Sequence, residues 1–88
     1  MFRMWVKLWK ENRLVKDMVY ETDEETNRTA KIFKGIEVAC NEWDLAQPIW
    51  LDKNIRDFKA HARCRFSGDN FSESIEFDYF EIHVIEEA

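Results

Sequence analysis

Phe2, Met4, Val6 and Leu8 alternate with Arg3, Trp5, Lys7 and Trp9, the period of a strand with one buried face. Lys10-Glu11-Asn12 is polar, and asparagine tolerates the positive φ that a tight hairpin demands. Arg13 to Tyr20, rich in Val, Leu, Met and Tyr, reads as the returning strand. The acidic run Glu21–Thr26 then reads as a helix entry. Thr22 or Asp23 is the expected cap, with carboxylates at the positive end of the helix dipole. Ala30, Phe33, Ile36, Cys40 and Trp43 follow at spacings of three and four, giving an apolar stripe that fades near Asn41–Asp44. Gly35 inside that helix costs about 1 kcal/mol relative to alanine, which suggests a close approach to the sheet.

Gln47-Pro48 breaks regular structure, because proline pushes the residue before it out of the α region. Leu51, Ile55, Phe58 and Ala62 then recur at helical spacing, predicting a second helix over 52–61 capped by Asp52. Trp50, beside the only proline, reads as an anchor that plugs the core rather than a ligand platform. From Ala62 the period becomes two, with Cys64 and Phe66 opposite in parity to Arg63 and Arg65. Ser67-Gly68-Asp69-Asn70 is the clearest turn signal and predicts a hairpin. The run Ile75–Ile85 reads as a long strand. Its apolar parity slips near Tyr79–Phe80, as at a β-bulge or in a strand buried on both faces. The expected fold is α+β: elements in the order β-β-α-α-β-β, a four-stranded mainly antiparallel sheet, and helices packed on one face.

Eighty-eight residues point to one domain spanning 1–88, with a core of limited size. Four Trp and seven Phe compensate, since each buried aromatic contributes about 4–6 kcal/mol before entropy. Cys40 and Cys64, without a CxxC pair or a His cluster, read as core thiols of a reducing compartment. Met1–Trp9 alternates charged and apolar residues instead of presenting the run of roughly 7–15 apolar residues that marks a leader. No stretch approaches the ~20 apolar residues of a membrane span. The expected location is therefore the cytoplasm.

The net charge of −5 conceals segregation along the chain. Residues 1–16 carry +4, residues 17–25 carry −5, residues 53–68 carry +4 and residues 69–88 carry −7. If the last strand lies between the two basic ones, most of this charge is paired across strands rather than displayed.

Candidate chemistry is sparse. His61 and His83 have no nucleophile or carboxylate at a spacing that suggests a triad, and two glycines build no phosphate loop. Asp23-Glu24-Glu25 and Glu86-Glu87 lack the pattern of a calcium loop and read as a helix entry and a solvated tail. No catalytic, cofactor-binding or metal-ligating residue is assigned. The best candidate surface is Arg3, Trp5, Lys7 and Trp9, which share one face of the first strand. Aromatic and basic residues interleaved in this way suit either nucleic acid or a protein interface. The preferred reading is a non-enzymatic interaction module that binds a protein partner or a second copy of itself. Nucleic-acid binding through the same four residues is the alternative, and an acidic mimic of nucleic acid is a further one. The segments "MWVKLWKENRL", "PIWLDKNIRDFKAHARCRF" and "FDYFEIHVIEE" resemble a group of small bacterial proteins of unknown function. That resemblance implies a small bacterial cytoplasmic protein and carries no activity, cofactor or site.

Overall fold

A computed structural model describes residues 1–87. Strands β1 (Phe2–Lys10) and β2 (Arg13–Thr22) are followed by helices α1 (Arg28–Glu42) and α2 (Asp52–His61). Strand β3 (Arg63–Phe66), a single 3-10 turn at Gly68–Asn70 and strand β4 (Tyr79–Glu86) complete the chain. The four strands form one antiparallel sheet in the order β2-β1-β4-β3, so the fold is α+β and the element order is the expected one.

The first hairpin closes through Glu11 and Asn12, both at positive φ (52° and 63°), the conformation that matches the twist of the flanking strands. Val15 is the extra residue of a bulge, since Leu8 pairs with Lys16 while Trp9 pairs with Leu14. Phe2, Met4, Val6 and Leu8 are all buried. They join Phe80, Ile82 and Val84 of β4 and Cys64 and Phe66 of β3 in one apolar cluster. Ile32, Ile36, Ala39 and Cys40 of α1 and Phe58 of α2 belong to the same cluster.

Helix α1 starts later than the acidic run suggests. Its cap is Asn27, whose Oδ1 accepts from the Ala30 N–H at 2.7 Å, and no acid lies in its first turn. Thr22 instead accepts from the Glu24 N–H in a local turn that ends β2. The buried stripe is Ile32, Gly35, Ile36, Ala39 and Cys40, so Ala30 and Phe33 of the expected stripe face outward. Gly35 does sit hard against the sheet: a Cβ there would lie 2.5 Å from Met4 Cε and 3.0 Å from the Tyr20 ring. The helix ends with Asp44 at φ 54° and the Leu45 N–H bonded to the Cys40 carbonyl, a left-handed stop made without glycine.

Helix α2 has the expected limits, but its N-cap is Leu51, not Asp52. Asn54 Oδ1 accepts from the Leu51 N–H, and Asn54 Nδ2 donates to the Arg65 carbonyl on β3. The expected 67–70 hairpin is instead a long excursion. Asn70, fully buried, accepts from the Ser67 N–H and donates to the Ile49 carbonyl and to Asn54 Oδ1. One pair of buried asparagines thus ties the segment after Pro48, helix α2, β3 and the 3-10 turn together. Ile75 and Phe77 belong to this excursion, with Phe77 packed edge-on to Phe71. The change of parity at Tyr79–Phe80 is therefore the start of β4, not a bulge. The irregularity of β4 lies at Ile85, where Met4 pairs with Val84 but Arg3 pairs with Glu86.

Trp50 packs edge-on against Phe66 (5.0 Å), Phe58 (5.8 Å) and Phe33 (6.0 Å), so it anchors the chain onto the core as expected while part of its ring stays accessible. Cys40 and Cys64 are buried and free. Among the described residues no helix is long and apolar enough to cross a membrane.

Candidate functional site

Strand register places Arg3, Trp5, Lys7 and Trp9 together on the sheet face opposite Phe2, Met4, Val6 and Leu8. Their cross-strand neighbours complete four rows. Glu21, Arg3 and Glu86 make the first row, and Val19, Trp5, His83 and Arg63 the second. Asp17, Lys7, Glu81 and Arg65 make the third, and Leu14, Trp9 and Tyr79 the fourth. Charged rows therefore alternate with rows rich in apolar and aromatic groups. Across the sheet the formal charges also form columns: acidic on β2, basic on β1, acidic on β4 and basic on β3.

The lattice is tightly connected. Arg3 lies 3.2 Å from Glu21 and 3.6 Å from Glu86, bridging both neighbouring strands. Glu81 is the hub of the third row, with only 4% of its surface exposed. It accepts from the Trp9 indole N–H at 2.7 Å and lies 3.5 Å from Arg65 Nε and 3.7 Å from Lys7 Nζ. Lys7 is itself 8% exposed and sits 4.0 Å above the Trp5 ring, whose N–H donates to Asp17 at 2.9 Å. Arg65 covers Tyr79 (5.0 Å) and the edge of Trp9 (5.7 Å).

The expected cross-strand pairing thus holds in its main feature, with β4 between two basic strands. Arg63 is an exception, because its partner is His83 rather than an acid. Burial holds the His83 imidazole below its ordinary pKa, and the charges of Lys7 and Arg63 push it the same way, against an opposing pull from Glu81. The four residues singled out in the sequence are therefore brought together. What sequence reasoning missed is that Lys7 is enclosed, and that Glu81, Asp17, Tyr79 and Val19 share the face. A signal for Glu81 was available: of the two acids in β4 it is the one flanked on both sides by apolar residues, Phe80 and Ile82.

Elsewhere, His61, Cys64 and Asp57 line a polar cleft beside β3 together with Lys53 and Arg63. Burial, reinforced by the Asp57 and Glu81 carboxylates, pushes the Cys64 thiol up to about 12, so it remains protonated near neutral pH and offers no thiolate nucleophile. Burial pushes Cys40 up to about 11. Among the described residues no group of three or more His, Cys, Asp or Glu side chains is placed to hold a metal ion. No family model, curated protein or solved structure matches the chain.

Proposed function

We propose that this chain is a non-enzymatic protein–protein interaction module that works through the sheet face of Arg3, Trp5, Lys7 and Trp9, with both helices packed over the opposite face. The observation that carries the reading is the composition of the face the core does not use. A solvated face of an antiparallel sheet is ordinarily polar. Here half-buried Trp5 and Trp9 are accompanied by Tyr79, Leu14 and Val19, each 38–41% exposed, within a frame of arginines and carboxylates. Aromatic and arginine side chains inside a polar rim are what protein interfaces enrich.

Nucleic-acid binding through the same residues has less support. Four acids balance the four bases on this face, and Arg3, Lys7 and Arg65 each have a carboxylate within 4 Å. A phosphate backbone needs a net positive field. On this face the acids are interleaved with bases, so an acidic mimic of nucleic acid would have to work through other carboxylates of residues 69–87.

The test is capture from the source's lysate with tagged wild type, Trp5→Ala and Trp9→Ala, in nuclease-treated and untreated halves, with melting temperatures measured alongside. The expected outcome is recovery in both halves by wild type and loss with either variant, at little change in melting. Recovery that survives both substitutions, or that disappears only with nuclease, refutes the reading.

A further inference from the structure

We infer that the partner of this face is a second copy of the chain, stacked face to face about a two-fold axis that runs parallel to the strands between β1 and β4. The inference rests on the interaction reading above and names the partner. Its basis is the order of the charge columns. Read across the sheet from β2 to β3, the columns run acidic, basic, acidic, basic. Turning the face over about an axis along the strands reverses that order, so every acidic column meets a basic one. The rows stay level under the same operation.

Most exposed charges of the face then meet opposite ones, while Val19 meets Arg63 and Glu21 lies beyond the end of β3. Arg3 faces Glu86 of the copy and Asp17 faces Arg65, above the Lys7–Glu81 pair that each sheet keeps enclosed. In the rows between, Trp9 faces Tyr79 and Trp5 faces His83. Because the interface is isologous, every such contact occurs twice. The other in-plane axis, perpendicular to the strands, would set each column on itself: like charge over like charge where it passes through a row, and charged rows over apolar ones where it passes midway. Stacked sheets keep their strand directions within about 30°, so the columns remain in approximate register. Arg3, Glu86 and Arg65 enter the interface already paired within their own sheet, and a copy adds a further opposite neighbour to each.

The size of the face sets the strength. Four strands about 4.8 Å apart and eight residues at about 3.4 Å each give roughly 500 Å². That is below the ~800 Å² per partner of a typical stable complex, so the pair is expected to be weak and concentration-dependent.

The experiment is sedimentation equilibrium of the full chain up to millimolar concentration, for wild type, Arg3→Glu, Glu86→Arg and an equimolar mixture of the two variants. Arg3 and Glu86 are chosen because both side chains are 40–47% exposed, so reversal leaves folding largely intact. Wild type is expected to rise from 10.7 kDa toward twice that mass. Each variant alone sets like charges opposite each other twice and should dimerise about tenfold less well or worse. The mixture restores both opposite-charge contacts and should return to the wild-type behaviour. A monomeric wild type overturns the copy-on-copy pairing, as does a mixture no stronger than its components. If wild type is monomeric while Trp5→Ala still abolishes capture from lysate, only the choice of partner fails. A dimer that neither charge reversal nor Trp5→Ala weakens lies elsewhere on the molecule and overturns the face itself.

Discussion

Replacing Glu81 by alanine removes one carboxylate on which three donors converge. The Trp9 indole N–H loses its acceptor at 2.7 Å, while Arg65, half exposed, turns to water. Lys7 is the costly partner. It is 8% exposed, and with Glu81 gone it keeps the Trp5 ring face at 4.0 Å but, among the described residues, has no carboxylate within 4 Å. Leaving one member of a buried ion pair without its counterion costs about 3–5 kcal/mol. The orphaned indole adds about 1 kcal/mol at most, because Trp9 can reach solvent.

A domain of this size holds about 5–15 kcal/mol in total, so a loss of about 4 kcal/mol is a large fraction of it. With a urea slope near ~1 kcal/mol/M for a small protein, the midpoint should fall by about 4 M. The assay is urea unfolding followed by circular dichroism, because Trp5 and Trp9 fluorescence would report the substitution itself. Lys7→Met combined with Glu81→Leu removes both charges and should recover most of the loss, since apolar replacement of a buried pair is often neutral or better. A loss below about 1 kcal/mol for Glu81→Ala would refute the reasoning, because that is what a solvated surface pair gives.

Gly35→Ala gains about 1 kcal/mol of helix propensity but drives a methyl into Met4 and Tyr20, an overpacking cost of about 1–3 kcal/mol. Thermal melting should show net destabilisation, and a raised melting temperature would mean that Met4 swings clear. Trp50→Ala strips an aromatic ring from contact with Phe33, Phe58 and Phe66 and should cost about 3 kcal/mol by urea unfolding; a loss below about 1 kcal/mol would contradict the anchor. The His83 pKa is lowered in the folded chain, so the native state binds that proton less readily than the unfolded one. Its contribution to stability is therefore complete above the unfolded value of about 6.5 and is lost as pH falls through it toward the lower folded value. Urea midpoints at about pH 7.5 and about pH 5 should differ less in His83→Gln than in wild type, and an unchanged difference would remove His83 as the cause.

The sequence resolved what local periodicity controls. Alternation along Phe2–Trp9 revealed β1 and both its faces, and Asn12 at the turn marked the hairpin. Charge gave the position of β4, because opposite signs on neighbouring strands attract. The start of α1 is ambiguous in the sequence because an acidic run and a capping asparagine are both favourable helix entries, and the chain uses Asn27. Phe33 fits the apolar period of α1, yet the phase set by Ile32, Ile36, Ala39 and Cys40 turns it outward, where it packs edge-on against Trp50. Asn54 and Asn70 left no signal. A buried pair of polar side chains is recognisable only when both segments are seen together. The candidate surface is legible from β1 alone; Glu81 has a signal in its apolar flanks, but its role as hub depends on partners carried by β1 and β3.

The central place of β4 has a consequence during synthesis. Chain growth delivers β1, β2 and both helices first, yet the inner edge of β1 has no partner until β4 emerges, when Met4 meets Val84 and Leu8 meets Phe80. Strand β3, made earlier, pairs with β4 alone and cannot join the sheet without it. Until that moment Met4, Val6 and Leu8 lie beside an unpaired strand edge, a template for wrong pairing with another nascent chain. Any fragment that stops short of Tyr79 should then lack a sheet of more than two strands, and its solubility will depend on the cell's holding chaperones rather than on its own fold.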